Sequence, residues 1–505
     1  MNRALSAAAA SALALFLAAG AAGLLASCGE EKPPAKIEYL TVAYPAITEA
    51  PEDLPSVEAE INARFSARIG SNVRLVPIPR RVFERQLSMM LASASPPDLF
   101  ATDAGELHTR ISRGQALALD NLLVFGGRNI ARAIAPEYLR VGRSQGQTFA
   151  VPSIRDYASY YGVLMREDLI DKHNIQLEGI RHLADLEPVL RRIKEAEPDM
   201  VPLGLSDFRA FLYAYNNEYD QLGDDEGVLA DLSPNAKVTN LFETRWYEEA
   251  AALARKWYLL GYLPRDVDTS RESAEDLLAA GKVFAALFPL TPGSAGQESR
   301  ITGHALRSVP LTRSVSTTDK VGKVIWAISA RSTRSVTAMR FLDLLYADAE
   351  LVNLLDWGIE GRHYVRITQN VITLPDGAED GRVGYQPNHG WLFGNQFLSY
   401  IFLGDDPNLW LKMGEFNRTA MKSPALGFSF DPAPIKATYI AVRNVMNDYR
   451  DGLETGTLDP AAVLPAFRRK LREAGIDAVM AEKQRQLDEW RRLEETRAVR
   501  DASGR

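Results

Sequence analysis

Cysteine is almost absent from this chain: Cys28 is the only one in 505 residues. A lone thiol excludes an intrachain disulfide, so the fold must hold by burial, which a chain of this length can supply. Histidine is scarce too. The six, at His108, His173, His182, His304, His363 and His389, never fall into the His-Glu-x-x-His spacing of a zinc site, so no metal and no cofactor is expected. The phosphate-cradling Gly-x-x-x-x-Gly-Lys and the nucleophile elbow Gly-x-Ser-x-Gly are missing as well. Positive charge is not in surplus: 58 basic residues face 65 acidic ones, for a net charge of −7. That balance argues against a nucleic-acid partner, which needs a basic patch. There is no internal repeat. Asp224-Asp225-Glu226 lacks the remaining positions of an EF-hand loop and reads as a solvated turn.

What is present begins with one long apolar run. Asn2 and Arg3 precede Ala4 to Leu25, and Ala26-Ser27 supply small residues before Cys28-Gly29. A charged start, an apolar middle and small residues at the cut make a secretory signal. A cysteine just after that cut resembles the lipobox of bacterial lipoproteins, in which the thiol is acylated and becomes the new N-terminus. An uncleaved span is the rival, since roughly 20 apolar residues cross a bilayer. Gly20 and Gly23 interrupt the end of this run and no basic cluster follows it, which favours cleavage. The expectation is a signal peptide over 1–27, lipidation at Cys28 and a tether over 28–36.

Beyond the tether, 46% hydrophobic and 24% charged residues describe a globular body too long for one core. Ile37 to Ala43, Val73 to Ile78 and Asp98 to Thr102 read as strands. Helices from Ser56 (as N-cap) to Ile69 and from Val82 to Leu91 separate them, which implies parallel β/α units. Gln147 to Arg166 is extended at both ends, as a strand leaving one domain and entering another would be. Val201 to Leu205, Lys282 to Phe288, Ala305 to Leu311 and Val321 to Ser329 are further strand candidates. From about 350 the pattern turns helical, with Leu409–Met421, Pro434–Tyr449, Ala461–Ala474 and Asp477–Thr496 at helix period and Gly475 as a stop signal. The last helix holds its apolar period too briefly for a coiled coil and is expected to pack on the body.

Three segments carry a resemblance. Phe149-Ala150-Val151-Pro152 followed by Tyr161-Gly162-Val163-Leu164-Met165-Arg166-Glu167-Asp168-Leu169 resembles the crossover into the second lobe of the extracellular solute-binding proteins of bacterial ABC importers, sugar type. Ala279-Ala280-Gly281-Lys282-Val283-Phe284-Ala285-Ala286 resembles the return segment of that family, and Ala338-Met339-Arg340-Phe341-Leu342 its following helix. The C-terminal third is similar to a lipoprotein subgroup with an extra domain, through Asp356-Trp357-Gly358-Ile359-Glu360-Gly361-Arg362-His363-Tyr364, Phe393-Gly394-Asn395-Gln396-Phe397 and Gly427-Phe428-Ser429-Phe430-Asp431. The resemblance implies an α/β fold of the type II periplasmic-binding-protein kind, with two lobes, a hinge, a cleft and a helical C-terminal extension. It places the first lobe at 37–153 with 300–345, the second at 154–299 with 346–450, and the extension at 451–505.

That reading makes the chain the lipid-anchored component of an importer. It would capture a solute, an oligosaccharide, by hinge closure and deliver it to ABC permease subunits, as a monomer facing the extracellular or periplasmic side of a cell membrane. No catalysis is expected. The alternative is a cell-surface glycoside hydrolase, because 65 acidic residues cannot exclude a carboxylate pair. Sugar sites stack a ring face on an aromatic and bind hydroxyls with planar polar groups. About 100 Å² of apolar contact contributes roughly 2.5 kcal/mol, so several aromatics with polar neighbours are needed. The candidates are Tyr44 and Asp103 after strands, and Arg155, Tyr157 and Tyr160 at the crossover. Trp326 lies in the returning strand, and Trp357, Trp391, Asn395 and Gln396 lie in glycine-flanked stretches. Tyr44 and Trp357 have core positions as equal rivals, and Asp103 has a helix cap as its rival. Arg80-Arg81 reads as a solvated helix start.

Overall fold

The computed structural model describes residues 39–47, 49–267, 272–378, 383–387 and 389–502. Cys28, the expected signal and the expected tether lie outside the described residues.

The chain opens with β1 (Tyr39–Ala46), α1 (Leu54–Ile69), β2 (Asn72–Pro79), α2 (Phe83–Ala92), β3 (Leu99–Thr102) and α3 (Ala104–Ser112). α1 starts two residues before the expected Ser56. Pro55 fits the first turn of a helix, where its missing N–H is no loss. Asp53, at the cap position, is engaged instead by His363 (3.1 Å) and by Arg362, which hold its carboxyl below the usual range. β4 (Ala150–Pro152) completes the first pass, and the chain then crosses within seven residues to β5 (Tyr160–Arg166).

The second sheet is built from β5, β6 (Val201–Leu205), β7 (Val283–Leu290) and β8 (Leu306–Pro310) in the order β8-β5-β7-β6. β7 runs antiparallel to β5 and parallel to β6. Between β6 and β7 stands the long helix α4 (Arg245–Leu259), and α5 (Ser294–Thr302) joins β7 to β8. The chain then returns through β9 (Val315–Ser316) to β10 (Ile325–Ile328). β10 inserts between β3 and β4, so the first sheet reads β2-β1-β3-β10-β4. β1 and β3 are parallel as expected, but β10 is antiparallel to both its neighbours, because it arrives from the other sheet.

After β10 come α6 (Ser335–Leu344) and α7 (Ala349–Asp356). Tyr346, Leu351, Leu354, Leu355, Leu392 and Phe393 share the core of the first sheet. The expected boundaries gave 346–450 to the second lobe; residues 346–357 and 392–393 pack in the first instead, because α6 and α7 cover that sheet. α8 (Leu409–Thr419) leads to β11 (Met421–Lys422), which pairs in parallel with β9.

The C-terminal helices are α9 (Lys436–Glu454), α10 (Pro460–Ala474) and α11 (Ile476–Ala502). Gly475 separates the last two at φ 98°, a left-handed position that favours glycine. Tyr439, Val442, Leu464, Phe467 and Val479 form one core with Phe242 and Tyr247 near α4. The last helix therefore packs on the body, as its brief apolar period predicts.

Asp224-Asp225-Glu226 is not a solvated turn. Asp225 and Glu226 are almost completely buried and meet cations: Arg209 and Arg450 reach Asp225, Arg443 reaches Glu226, and Lys483 of α11 reaches Asp224. The triplet is an ion-pair socket for the C-terminal helices. Among the described residues no histidine, cysteine or carboxylate group clusters as a metal site.

Candidate cleft between the two sheets

Two cavities open side by side where the chain passes between the sheets. The first, about 450 Å³, lies beyond the ends of β1 and β3, where open α/β sheets place ligands. Pro45, Ile47, Thr102 and Asp103 line it from those strand ends, and Arg80, Phe83 and Glu84 from the turn into α2. The second, about 490 Å³, reaches the other sheet through Pro289, Thr291, Gln297, Glu298 and Arg300, and the far wall carries Gln396 and Trp410. Ile47, Arg155, Lys323 and Trp391 line both, so the two volumes form one cleft.

The wall is fixed by backbone and amide contacts at the crossover. The Ile154 N–H donates to the Gly394 carbonyl at 2.6 Å, and the Gln396 N–H donates back to the Ile154 carbonyl at 2.9 Å. Gly394 sits at φ 54°, and a Cβ there would lie 2.3 Å from the Leu345 carbonyl, so only glycine fits. From α8, the Asn417 amide donates to the Arg155 carbonyl at 2.6 Å and accepts from the Tyr157 N–H at 2.9 Å. These bonds hold Arg155 and Gln396 facing the same space. The Arg155 guanidinium lies 5.6 Å from the Trp391 ring centre and pairs with Asp156. Trp410 stacks on Phe397 at 5.7 Å and donates its indole N–H to the Ser399 carbonyl at 2.7 Å.

Charges of both signs face the cleft. Lys320 donates to Asn217 Oδ1 at 3.3 Å, and its ammonium is pushed down to about 8, chiefly by burial and then by Lys323. Burial also lowers Lys323, with Arg155 adding to it. Glu84 and Glu298 move the other way, pushed up by burial. Glu298 Oε2 is buried without a hydrogen-bond partner among the described residues.

Of the residues singled out from the sequence, Asp103, Arg155, Trp391 and Gln396 line the cleft. Asp103 is also the cap of α3, accepting from the Glu106 N–H at 2.9 Å. Six others lie elsewhere. Tyr44 is 2% exposed and packs edge-on to Phe393 at 5.0 Å, because β1 is covered on both faces. Trp326 is fully buried in β10, with its indole N–H shared between the Leu392 carbonyl (2.9 Å) and Ser153 Oγ (3.1 Å). Tyr157 is buried against Tyr138, ring centres 4.5 Å apart. Trp357 donates to Ser399 Oγ at 2.9 Å and stacks on Phe402. Asn395 spends its side chain capping the turn Gln396–Leu398, accepting from the Phe397 N–H at 3.1 Å. Tyr160 packs edge-on to Phe416 at 6.0 Å.

Lys323, Trp410, Glu298 and Arg300 escaped sequence reading, and Arg80 lines the cleft although it reads as a solvated helix start. The available signal was positional. Arg80 directly follows β2 and Lys323 lies two residues before β10, at the ends of strands that face a crevice.

Comparison with known proteins places these features in context. Residues 424–492 match a family model described as a domain of unknown function (DUF3502). The whole chain is 27% identical to a carbohydrate ABC transporter substrate-binding protein of Streptococcus pneumoniae serotype 4, over 95% of this chain and 97% of that one. Among solved structures it is similar to the N-glycan transport solute binding protein (NgtS) from Streptococcus pneumoniae. That structure gives a TM-score of 0.79 at 25% identity, covering 89% of this chain and 98% of the other. The same protein in complex with Man1GlcNAc gives 0.70 at 25% identity, covering 89% and 99%. An extracellular solute-binding protein from Bifidobacterium longum subsp. infantis, 15% identical, shares the fold with a TM-score of 0.61 over 89% and 98% of the two chains.

Proposed function

We propose that this chain, an extracellular solute-binding protein of the carbohydrate ABC-importer kind, captures an oligosaccharide in the cleft between its two sheets and hands it on unchanged. The first lobe of this reading is the sheet β2-β1-β3-β10-β4 with α6 and α7. The second is the sheet β8-β5-β7-β6, with the C-terminal helices packed against α4 beside it. The observation that carries the reading is the cleft itself: Trp391 and Trp410 on one wall, with Arg155, Gln396 and Gln297 beside them. Indole faces take the apolar face of a sugar ring, and amide and guanidinium groups take its hydroxyls. A ligand touching both walls favours the shut form over the open one, which is how binding becomes closure.

The anchor belongs to the same reading. Lipid on Cys28 would hold the chain at the outer face of a membrane. A single acyl chain binds a membrane only marginally, at about 0.8 kcal/mol per buried methylene, so two or more are required. The shut form would then be read by a pair of permease subunits. The relatives supporting this reading are substrate-binding proteins, and nothing favours the glycoside hydrolase alternative.

The test is a thermal-shift screen over mono- and oligosaccharides on protein lacking residues 1–28. A midpoint that rises with ligand concentration, with the sugar recovered intact, is the expected result. No shift with any saccharide, or cleaved sugar in the mixture, overturns the reading.

A further inference from the structure

The chain carries a net charge of −7, yet the centre of its cleft gathers cations. Arg80, Arg155 and Lys323 line the first cavity together. Most of the anions around them are already engaged; Glu298, its Oε2 unpartnered among the described residues, lines only the second cavity, which Arg80 does not reach. Asp156 pairs with Arg155, and Glu84 is taken by the buried guanidinium of Arg110. Asp103 caps α3, and Asp405 is held by Arg300 at 2.6 Å. Arg80 and Lys323 are left with no ion pair and no hydrogen bond among the described residues, while Lys320 has only the neutral Asn217 within bonding distance. Beyond burial, Arg155 and Arg80 disfavour charge on Lys323, and the offsetting Asp156 is itself paired with Arg155. Like charges gathered in a partly water-excluded cleft are unfavourable until an anion arrives, and then each strengthens its binding.

We infer that the cleft is built for a saccharide bearing negative charge, as a carboxylate or as a sulfate or phosphate ester, seated between Arg80, Arg155 and Lys323. This rests on the oligosaccharide reading above and narrows it. Trp391, with Arg155 against its ring, sets a stacked sugar beside the cations, and the guanidinium forks suit planar or tetrahedral oxyanions alike.

The experiment is calorimetric titration of the full chain in non-ionic detergent. One arm uses neutral manno-, gluco- and galacto-oligosaccharides, a second uses oligogalacturonates and sialyllactose, and a third uses sulfated and phosphorylated forms of the neutral set. The expected result is at least about tenfold tighter binding of an acidic saccharide than of its neutral parent, weakening as salt rises. The R80Q/K323Q double variant should lose that preference, and K323E should bind the neutral parent the tighter of the two. Whether the second or third arm responds identifies carboxylate or ester. Equal binding of charged and neutral forms, unmoved by R80Q/K323Q, overturns the charge inference and leaves the oligosaccharide reading intact. Binding of no saccharide in any arm overturns both.

Discussion

Trp326 and Trp391 put one residue type to opposite uses. Trp326 fills the middle of β10 and satisfies its indole N–H inside the core, whereas Trp391 lines the cleft with a guanidinium on its ring. Trp326→Ala should cost about 3–5 kcal/mol of stability, read as a fall in urea midpoint. Trp391→Ala should cost about 1 kcal/mol or less of stability and weaken sugar binding roughly 10- to 100-fold, the worth of one ring stack near 2.5 kcal/mol. Equal effects on stability from both variants would contradict this division. Sequence could name both tryptophans as candidates. It could not rank them, because alternation along a strand does not say whether the far face meets solvent, a ligand or a helix.

At the scale of elements, α11 depends on one buried cation. Lys483 is fully buried, reaches Asp224, and donates to the Gly227 carbonyl at 3.0 Å. Removing one partner of a buried pair leaves an uncompensated charge, so Lys483→Met should destabilise by about 3–5 kcal/mol. Adding Asp224→Asn to it should recover part of that loss, because the orphaned carboxylate is gone. A double-mutant cycle in urea measures the difference. The helix itself was legible in the sequence from the helix-period apolar positions of Asp477–Thr496. Its socket was not: Asp224-Asp225-Glu226 reads as a solvated turn until Lys483, more than 250 residues later, is folded against it. The short helices α5 and α7 also escaped, since little more than two turns carry too little periodicity to stand out.

Two consequences belong to the whole molecule. Burial pushes the Glu454 carboxyl up to about 8 from its ordinary 4.5, against the pull of Arg209 and Arg450. A raised carboxyl binds its proton more tightly in the fold than in the unfolded chain, so its stabilisation is complete below about 4.5 and is lost as pH rises towards 8. Glu454→Gln should therefore flatten the decline in stability between pH 5 and pH 8, measured by urea unfolding at both. Asp225 would still pair with Arg209 and Arg450 in that variant, so the packing survives. Asp319, raised to about 7 by burial, adds a residual slope of the same sign. The second consequence is closure. If ligand draws the walls of the cleft together, small-angle scattering should show a smaller radius of gyration with saturating sugar than without, and no change would argue for a rigid receptor.

By itself the sequence determined the α/β class, the crossover near Gln147–Arg166 and the helical C-terminus, and it raised two expectations: a leader ending at a lone cysteine and, by resemblance, an importer family. These are written locally, in charge, apolar period and short contiguous motifs, and local patterns survive without knowledge of contacts. Only the tertiary structure decided which residues meet in the cleft. Arg80, Arg155, Lys323, Trp391 and Trp410 come from five separate stretches, and they converge because β10 returns between β3 and β4 while the Ile154–Gly394 bond locks the far wall beside the crossover. Contacts of that kind depend on where whole elements dock, a property of packing that no window along the chain contains.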